Sequence, residues 1–239
     1  MRAADTNSKA ALQLLTTWNG IETADSAATA LFEVWLSRHL GPVFKDAALS
    51  TAGAAVIVQP NTAHIIDHLE HPDALLGNGA TTESATLAKR DQILLVSLNA
   101  AYTSLQQRLG ADHRQWRWAN LHYALLEHPL ANATDPATKA KLNVGPFAKA
   151  GGSHTVNVSS YNPNTFQQTG GASFRIVVDV GNWDNSHAIN TPGQSGNPDS
   201  PHYRDLALKW SKGEYFPLLY SRKMIDAAVM ERIELQPAK

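Results

Sequence analysis

The sequence predicts an α+β protein in which helices come first, strands follow and short helices close the chain. Three observations carry that expectation. Apolar residues recur at helical spacing through the first half, most clearly between Ser84 and Leu109. They alternate at strand spacing between Ser173 and Val180. Gly, Pro and Asn then punctuate the last third into short segments. On this reading residues 1–130 form a mainly helical region, and residues 131–239 a strand-rich portion with C-terminal helices.

The elements follow in order. Lys9–Trp18 is a short amphipathic helix stopped at Asn19-Gly20, where Gly takes the left-handed C-terminal position. Ser26 caps a second helix, with Leu31, Val34 and Trp35 on one face, and Gly41-Pro42 is expected to end it. Thr62–Glu70, bounded by Pro60 and Pro72, is a third helical stretch. Ser84–Leu109 is the longest, presenting Leu87, Leu94, Leu98, Tyr102 and Leu105 at helical spacing until Gly110 closes it.

Trp116, Trp118, Leu121, Tyr123 and Leu125 suggest an extended segment, although the alternation slips at Ala119 and Asn120. Ala131–Lys141 is polar and Pro-containing, and reads as a linker or surface loop. Three strands are then expected: His154–Val158, Ser173–Val180 and His187–Asn190, the last two forming a hairpin across Gly181–Asn185. Phe174, Ile176, Val178 and Val180 share one face of the middle strand; Ser173, Arg175, Val177 and Asp179 share the other. Ser200-Pro201 has the residues of a helix start, and a final helix from Ser221 presents Ile225, Val229 and Ile233.

Bulk properties narrow the function classes. A length of 239 residues, 43% hydrophobic and 17% charged, is enough for a sizeable core. A formal net charge of −1 gives no electrostatic reason for a nucleic-acid or acidic-membrane partner. No apolar run approaches the roughly 20 residues of a spanning helix. The start, Met1-Arg2, is followed by no apolar stretch and so does not read as a secretory signal. With no cysteine, disulfides, Cys-based zinc sites and thiol catalysis are excluded.

Candidate chemistry is sparse. His64 and His68 lie one helical turn apart with His71 beyond, as zinc ligands would, but Ile65 stands where a metalloprotease helix carries its general-base Glu. A solvated helix face is the plainer reading, and no metal or cofactor is expected. Gly193-Gln194-Ser195-Gly196 resembles a nucleophile elbow, yet Asn197 replaces its second Gly, and a tight structural loop accounts for the segment. Asp179 is either half of a strand-edge ion pair with Arg175 or an acid that orients a base or amine. The sequons at Asn132 and Asn157 carry no assigned role. Trp116, Trp118, Trp183 and Trp210 suit core packing or the lining of an apolar acyl pocket.

From Gly151 onward a family resemblance enters. Gly151-Gly152 followed by Thr155-Val156-Asn157, then Ala172-Ser173-Phe174-Arg175 running on to Asp179, resemble segments of the penicillin acylase (penicillin amidase) family. The most specific stretch is Pro192-Gly193-Gln194-Ser195-Gly196 leading to Ser200-Pro201-His202-Tyr203, with Trp210 and Gly213-Glu214-Tyr215-Phe216-Pro217-Leu218 after it. Upstream, Trp18-Asn19-Gly20 resembles the family's Trp-Asp-Gly turn, and Trp118–His122 with His128-Pro129-Leu130 resembles a further segment.

That resemblance implies strands belonging to a four-layer αββα N-terminal-nucleophile hydrolase core, incomplete in this chain, behind a helical region. It implies a self-cleaving precursor whose freed N-terminal Ser, Thr or Cys attacks an amide, with an Asn amide and a backbone N–H holding the oxyanion. The substrates would be small N-acyl compounds: penicillin or cephalosporin side chains, or acyl-homoserine lactones. The family's nucleophile and oxyanion residues precede the region matched, and Met1-Arg2 offers no hydroxyl or thiol. Gly152-Ser153 is not the family's processing junction. The chain is therefore expected to be the C-terminal part of an antibiotic- or lactone-directed acylase, inactive alone. Its partner would be the upstream precursor: the alpha chain and the N-terminal part of the beta chain. A periplasmic or secreted location goes with that family. Asp179 matches the late acidic residue that supports a histidine in cephalosporin-acylase relatives, with Asp in place of Glu. A non-catalytic binding module derived from the same fold is the alternative. On the acylase reading the strands around Val156, Ile176 and Ile189 should lack neighbours and expose apolar surface.

Overall fold

The structure is a computed structural model that describes residues 6–57, 60–73, 76 and 82–237. Met1 and Arg2 lie outside the described residues. Helix α1 spans Thr6–Thr16, α2 Ala27–Val34, α3 Gly41–Ala48, α4 Thr51–Val56, α5 Thr62–Glu70 and α6 Glu83–Leu109. Side-chain caps start most of them: Ser26 accepts from the Thr29 N–H, Asn61 from His64 and Thr82 from Ala85. Among the described residues no helix is long and apolar enough to cross a membrane.

Gly41-Pro42 does not end the second helix. The chain continues through a π-helical turn, Trp35–Leu40, directly into α3. The wider turn gives room beside a proline that lacks an N–H and crowds the carbonyl four residues back. Ser37 donates to the Glu33 carbonyl at 2.6 Å, occupying an acceptor next to the altered ladder.

The strands are short and form three small sheets. β1 (Tyr123–Leu126) pairs with β2 (Val144–Ala148), and β3 (Ser159–Tyr161) with β4 (Gln168–Gly171). The third sheet has the order β5-β6-β7, from Arg175–Val177, His187–Ile189 and Phe216–Pro217. β5 and β6 form the expected antiparallel hairpin, with Ile176 opposite Ala188 and Val177 opposite His187.

Several expected elements are different in space. His154–Val158 is a turn, because the Thr155 hydroxyl bonds the backbone of Gly152 and the carbonyl of Asn157 in place of a strand ladder. The extended reading of Trp116–Leu125 holds only from Tyr123, after two 3₁₀ turns at His113–Gln115 and Trp118–Asn120. Ala131–Lys141 is not a bare linker: Asp135 caps helix α7, Pro136–Leu142. Ser200-Pro201 opens a turn in which Ser200 Oγ accepts from the His202 N–H; helix α8 starts later and spans Ala207–Lys212. Helix α9, Arg222–Ala228, starts where expected, with Ser221 as its cap, but stops before Val229 and Ile233.

The chain divides into two compact units, each discontinuous in sequence: residues 1–123 with 148–170, and residues 124–147 with 171–239. The first unit has two apolar clusters. One gathers Leu31 and Val34 of α2, Leu98, Ala101, Tyr102 and Leu105 of α6, and Trp116, Trp118 and Phe166. The other joins Leu40, Phe44 and Ile65 to Leu76 and Ile93. Each such side chain contributes roughly 1.5–3 kcal/mol on leaving water. The second unit holds two smaller clusters, Ala124 with Ile189 and Trp210, and Val144 with Tyr203 and Ala207.

Candidate functional site

Within the first unit a polar cluster is set into the aromatic core. Trp118 stacks on His122 with ring centroids 4.8 Å apart and planes at 23°. Tyr161 of β3 meets both rings edge-on, at 5.5 and 5.3 Å. The Trp118 indole N–H donates to the Gly151 carbonyl at 2.9 Å, which ties the Gly151-Gly152 turn to this core. Phe166 adopts a left-handed φ of 59°, a strained conformation for a bulky side chain. It is fully buried, and its carbonyl points at the His122 ring.

The partners of His122 set its tautomer. Nδ1 donates to the Phe166 carbonyl at 2.8 Å, leaving Nε2 to accept from Ser159 Oγ at 2.7 Å. Burial pushes the imidazole down to about 4, and the Lys149 charge adds to this against the opposing bond to Phe166. The ring is therefore neutral at pH 7. A Ser–His bond has the form of a nucleophile and its base, but both side chains are wholly buried and no substrate could reach them. Its role is to satisfy polar atoms inside the core.

Tyr161 joins this cluster to a pair of carboxyl groups. Glu33 of α2 is 2% exposed, and Tyr161 donates its phenolic proton to Glu33 Oε2. Glu22 stands beside Glu33. Glu22 Oε2 and Glu33 Oε1 are buried and accept no hydrogen bond from N–H or O–H groups of the described residues. Both oxygens converge over Gly152: a Cβ there would lie 2.7 Å from Glu22 Oε2 and would overlap Glu33 Oε1. Burial, then the neighbouring Glu33 charge and hydrogen bond, push Glu22 up to about 8. Burial and the Glu33 charge also raise the Tyr161 phenol.

Residues singled out from sequence are scattered. Asp179 lies beyond the end of β5 and is exposed. Its Oδ1 accepts from the N–H groups of Gly181 and Asn182 at 2.9 and 3.1 Å, and Oδ2 accepts from Asn185. Those bonds hold its carboxyl below the usual range, so it is ionised at neutral pH. Arg175 is not among its partners. The guanidinium instead donates to the Trp210 carbonyl and covers the rings of Trp210 and Tyr215 at 5.5 and 5.7 Å.

His64 and His68 touch through Nε2 at 3.3 Å, His68 pairs with Asp73 and His71 with Asp67. Among the described residues no group of three or more His, Cys, Asp or Glu is arranged to hold a metal. Ser195 Oγ accepts from the Asn197 N–H, and the backbone N–H groups of Gln194 and Ser195 both reach the His202 carbonyl. That crossing needs Gly193, where a Cβ would lie 2.7 Å from the Tyr203 carbonyl carbon. The segment is a tight structural loop. Trp116, Trp118 and Trp210 are core residues, while Trp183 is exposed and packs on Tyr220 at 5.2 Å.

Glu22, Glu33, Tyr161 and His122 were not distinguished by sequence pattern. The available signal was slight: Glu33 is the one charged residue in the otherwise apolar and small stretch Ala27–Val34.

Residues 1–227 match the penicillin amidase family. Acyl-homoserine lactone acylase QuiP of Pseudomonas aeruginosa is 30% identical over 99% of this chain and 30% of its own length. Penicillin acylase 2 proenzyme of Pseudomonas sp. SE83 is 40% identical over 51% of this chain and 16% of its own. A thermostable penicillin G acylase from Alcaligenes faecalis aligns over 99% of this chain and 44% of its own, at 20% identity. Its TM-score of 0.46 does not establish a shared fold. The chain spans about 30% of the length of the lactone-acylase relatives it matches.

Proposed function

The chain belongs to the penicillin amidase family, and from that premise we propose that it is the C-terminal part of an acylase that hydrolyses acyl amide bonds and is inactive without the preceding part. The substrates on this reading are small N-acyl compounds, either β-lactam side chains or acyl-homoserine lactones, and the enzyme is periplasmic or secreted. Residues 1–130 serve as its mainly helical region and 131–239 lend strands to an αββα core completed by the rest of the precursor. The observation that supports the reading is the exposed edge of the three-stranded sheet in the second unit, although the strand around Ile189, expected to lack neighbours, is paired on both sides and buried. β5 is an edge strand in the order β5-β6-β7. Around it Phe174, Ile176, Val177, Val178 and Val180 are all exposed.

Asp179 is the residue of this chain that the reading assigns to the chemistry. It would act as a positioning acid for a histidine supplied by the preceding part, and its ionised carboxylate suits that role. The test is turnover of an acyl-p-nitroanilide and of an acyl-homoserine lactone by two proteins. One is this chain alone, and the other is the same chain joined to the precursor region that precedes it in the family. Hydrolysis by the joined, processed protein and none by the chain alone is expected. Turnover by the rigorously pure chain would overturn the claim of inactivity. A joined protein that folds, yet hydrolyses neither substrate, would favour the non-catalytic module.

A further inference from the structure

The carboxyl pair in the first unit has no part in the proposed acylase chemistry, and its geometry requires an explanation. The facing oxygens of the two carboxyl groups are buried, and desolvation and mutual repulsion there oppose ionising both. Tyr161 supplies one proton donor to Glu33, but none to Glu22. The two oxygens without donors face each other's neighbourhood above Gly152, which has no side chain to separate them. We propose that Glu22 and Glu33 share one proton, forming a pH-sensitive latch that holds the Gly151-Gly152 turn against α2 and β3.

The elements packed on the pair support a proton as its occupant. Glu33 comes from α2, Ser37 from the π-helical turn and Tyr161 from β3, while Gly152 and Thr155 form the turn above. None of these groups brings a cation to the pair. The neighbouring charge of Lys149 acts on His122. Among the described residues no third ligand completes a metal site here. With the proton in place, Glu22 donates to Glu33, Tyr161 donates to the same carboxylate, and Trp118 fixes the Gly151 carbonyl at the other side of the turn. Removing the proton leaves two negative charges in contact beneath the turn and loads the bonds that hold it, from the Gly151 N–H to the Glu22 carbonyl and from the Ser159 N–H to the Gly152 carbonyl.

Glu22 holds its proton up to about 8 in the folded chain and loses it near 4.5 in the unfolded chain. Its contribution is fully present below 4.5 and is lost as pH rises to about 8. His122 works the other way: neutral when folded, it loses stability as pH falls from 6.5 to about 4. The two slopes oppose each other at acid pH, so the pair is read cleanly between 6.5 and 8.

The experiment is urea denaturation of the 239-residue chain across that window, comparing wild type with Glu22→Gln, whose amide donates to Glu33 at every pH. The folding equilibrium constant of wild type should fall by up to about tenfold per pH unit, and that of the variant should stay level. An infrared band from a protonated carboxyl should persist in wild type at pH 7 and vanish in the variant. That band decides the matter alone if the variant does not fold. Parallel pH profiles with no such band, or stoichiometric calcium or magnesium bound at the pair, would overturn the proposal.

Discussion

The two units handle their apolar residues differently. In the first, helix α6 runs against α1, α2 and α3, and even large rings such as Trp116, Trp118 and Phe166 are fully buried. In the second, Phe174, Ile176, Val177 and Val180, in and around the three-residue strand β5, stand in the open, all with about half or more of their surface exposed. Local pairing explains the contrast. A 27-residue helix satisfies its own backbone and needs only one stripe of neighbours. A three-residue strand at a sheet edge satisfies neither its backbone nor its faces without further strands. The first unit thus gathers its large rings into one helical core, and the second leaves the apolar residues around its edge strand exposed.

Substitutions in the two units should separate this account from a uniform one. Trp118→Ala, in the closed core, should cost roughly 3–5 kcal/mol, because it removes a buried ring and the indole bond to Gly151 together. Denaturant unfolding of the isolated chain measures it, and a loss under about 1 kcal/mol would mean the core is not closed around that ring. The double change Phe174→Ser with Ile176→Ser should alter the stability of the isolated chain by only about 0.5 kcal/mol while reducing binding of an apolar dye. In the joined precursor the same pair should cost several-fold more. Equal costs in both settings would remove the distinction between the units.

Much of the first unit was legible because its signals are local. The Ser26 cap and the spacing from Ser84 to Leu109 lie within single helices, so the start of α2 at Ala27 and the whole of Glu83–Leu109 follow almost residue by residue. Thr62–Glu70 has the bounds its flanking prolines suggest. The β5–β6 hairpin was legible for the same reason. Other readings were overridden by bonds that composition does not announce. The Thr155 hydroxyl turns His154–Val158 away from a strand, and the Ser200 hydroxyl holds a turn where a helix start was expected. The carboxyl cluster was hidden for a further reason. Glu33 and Tyr161 are 128 positions apart, and no spacing rule joins residues at that distance. Asp179 was visible as a residue, but the Asn182 and Gly181 bonds that set its charge depend on a loop conformation.

The claim that the second unit awaits the preceding part of an acylase is tested most directly by amide hydrogen exchange at Arg175–Val177 and Phe216–Pro217, in the chain alone and in the joined precursor. Pro217 has no amide, so the β7 probe is Phe216. The account predicts fast exchange at β5 in the chain alone and protection raised by at least about tenfold on joining, with helix α6 unchanged. Equal protection of β5 in both proteins would contradict it.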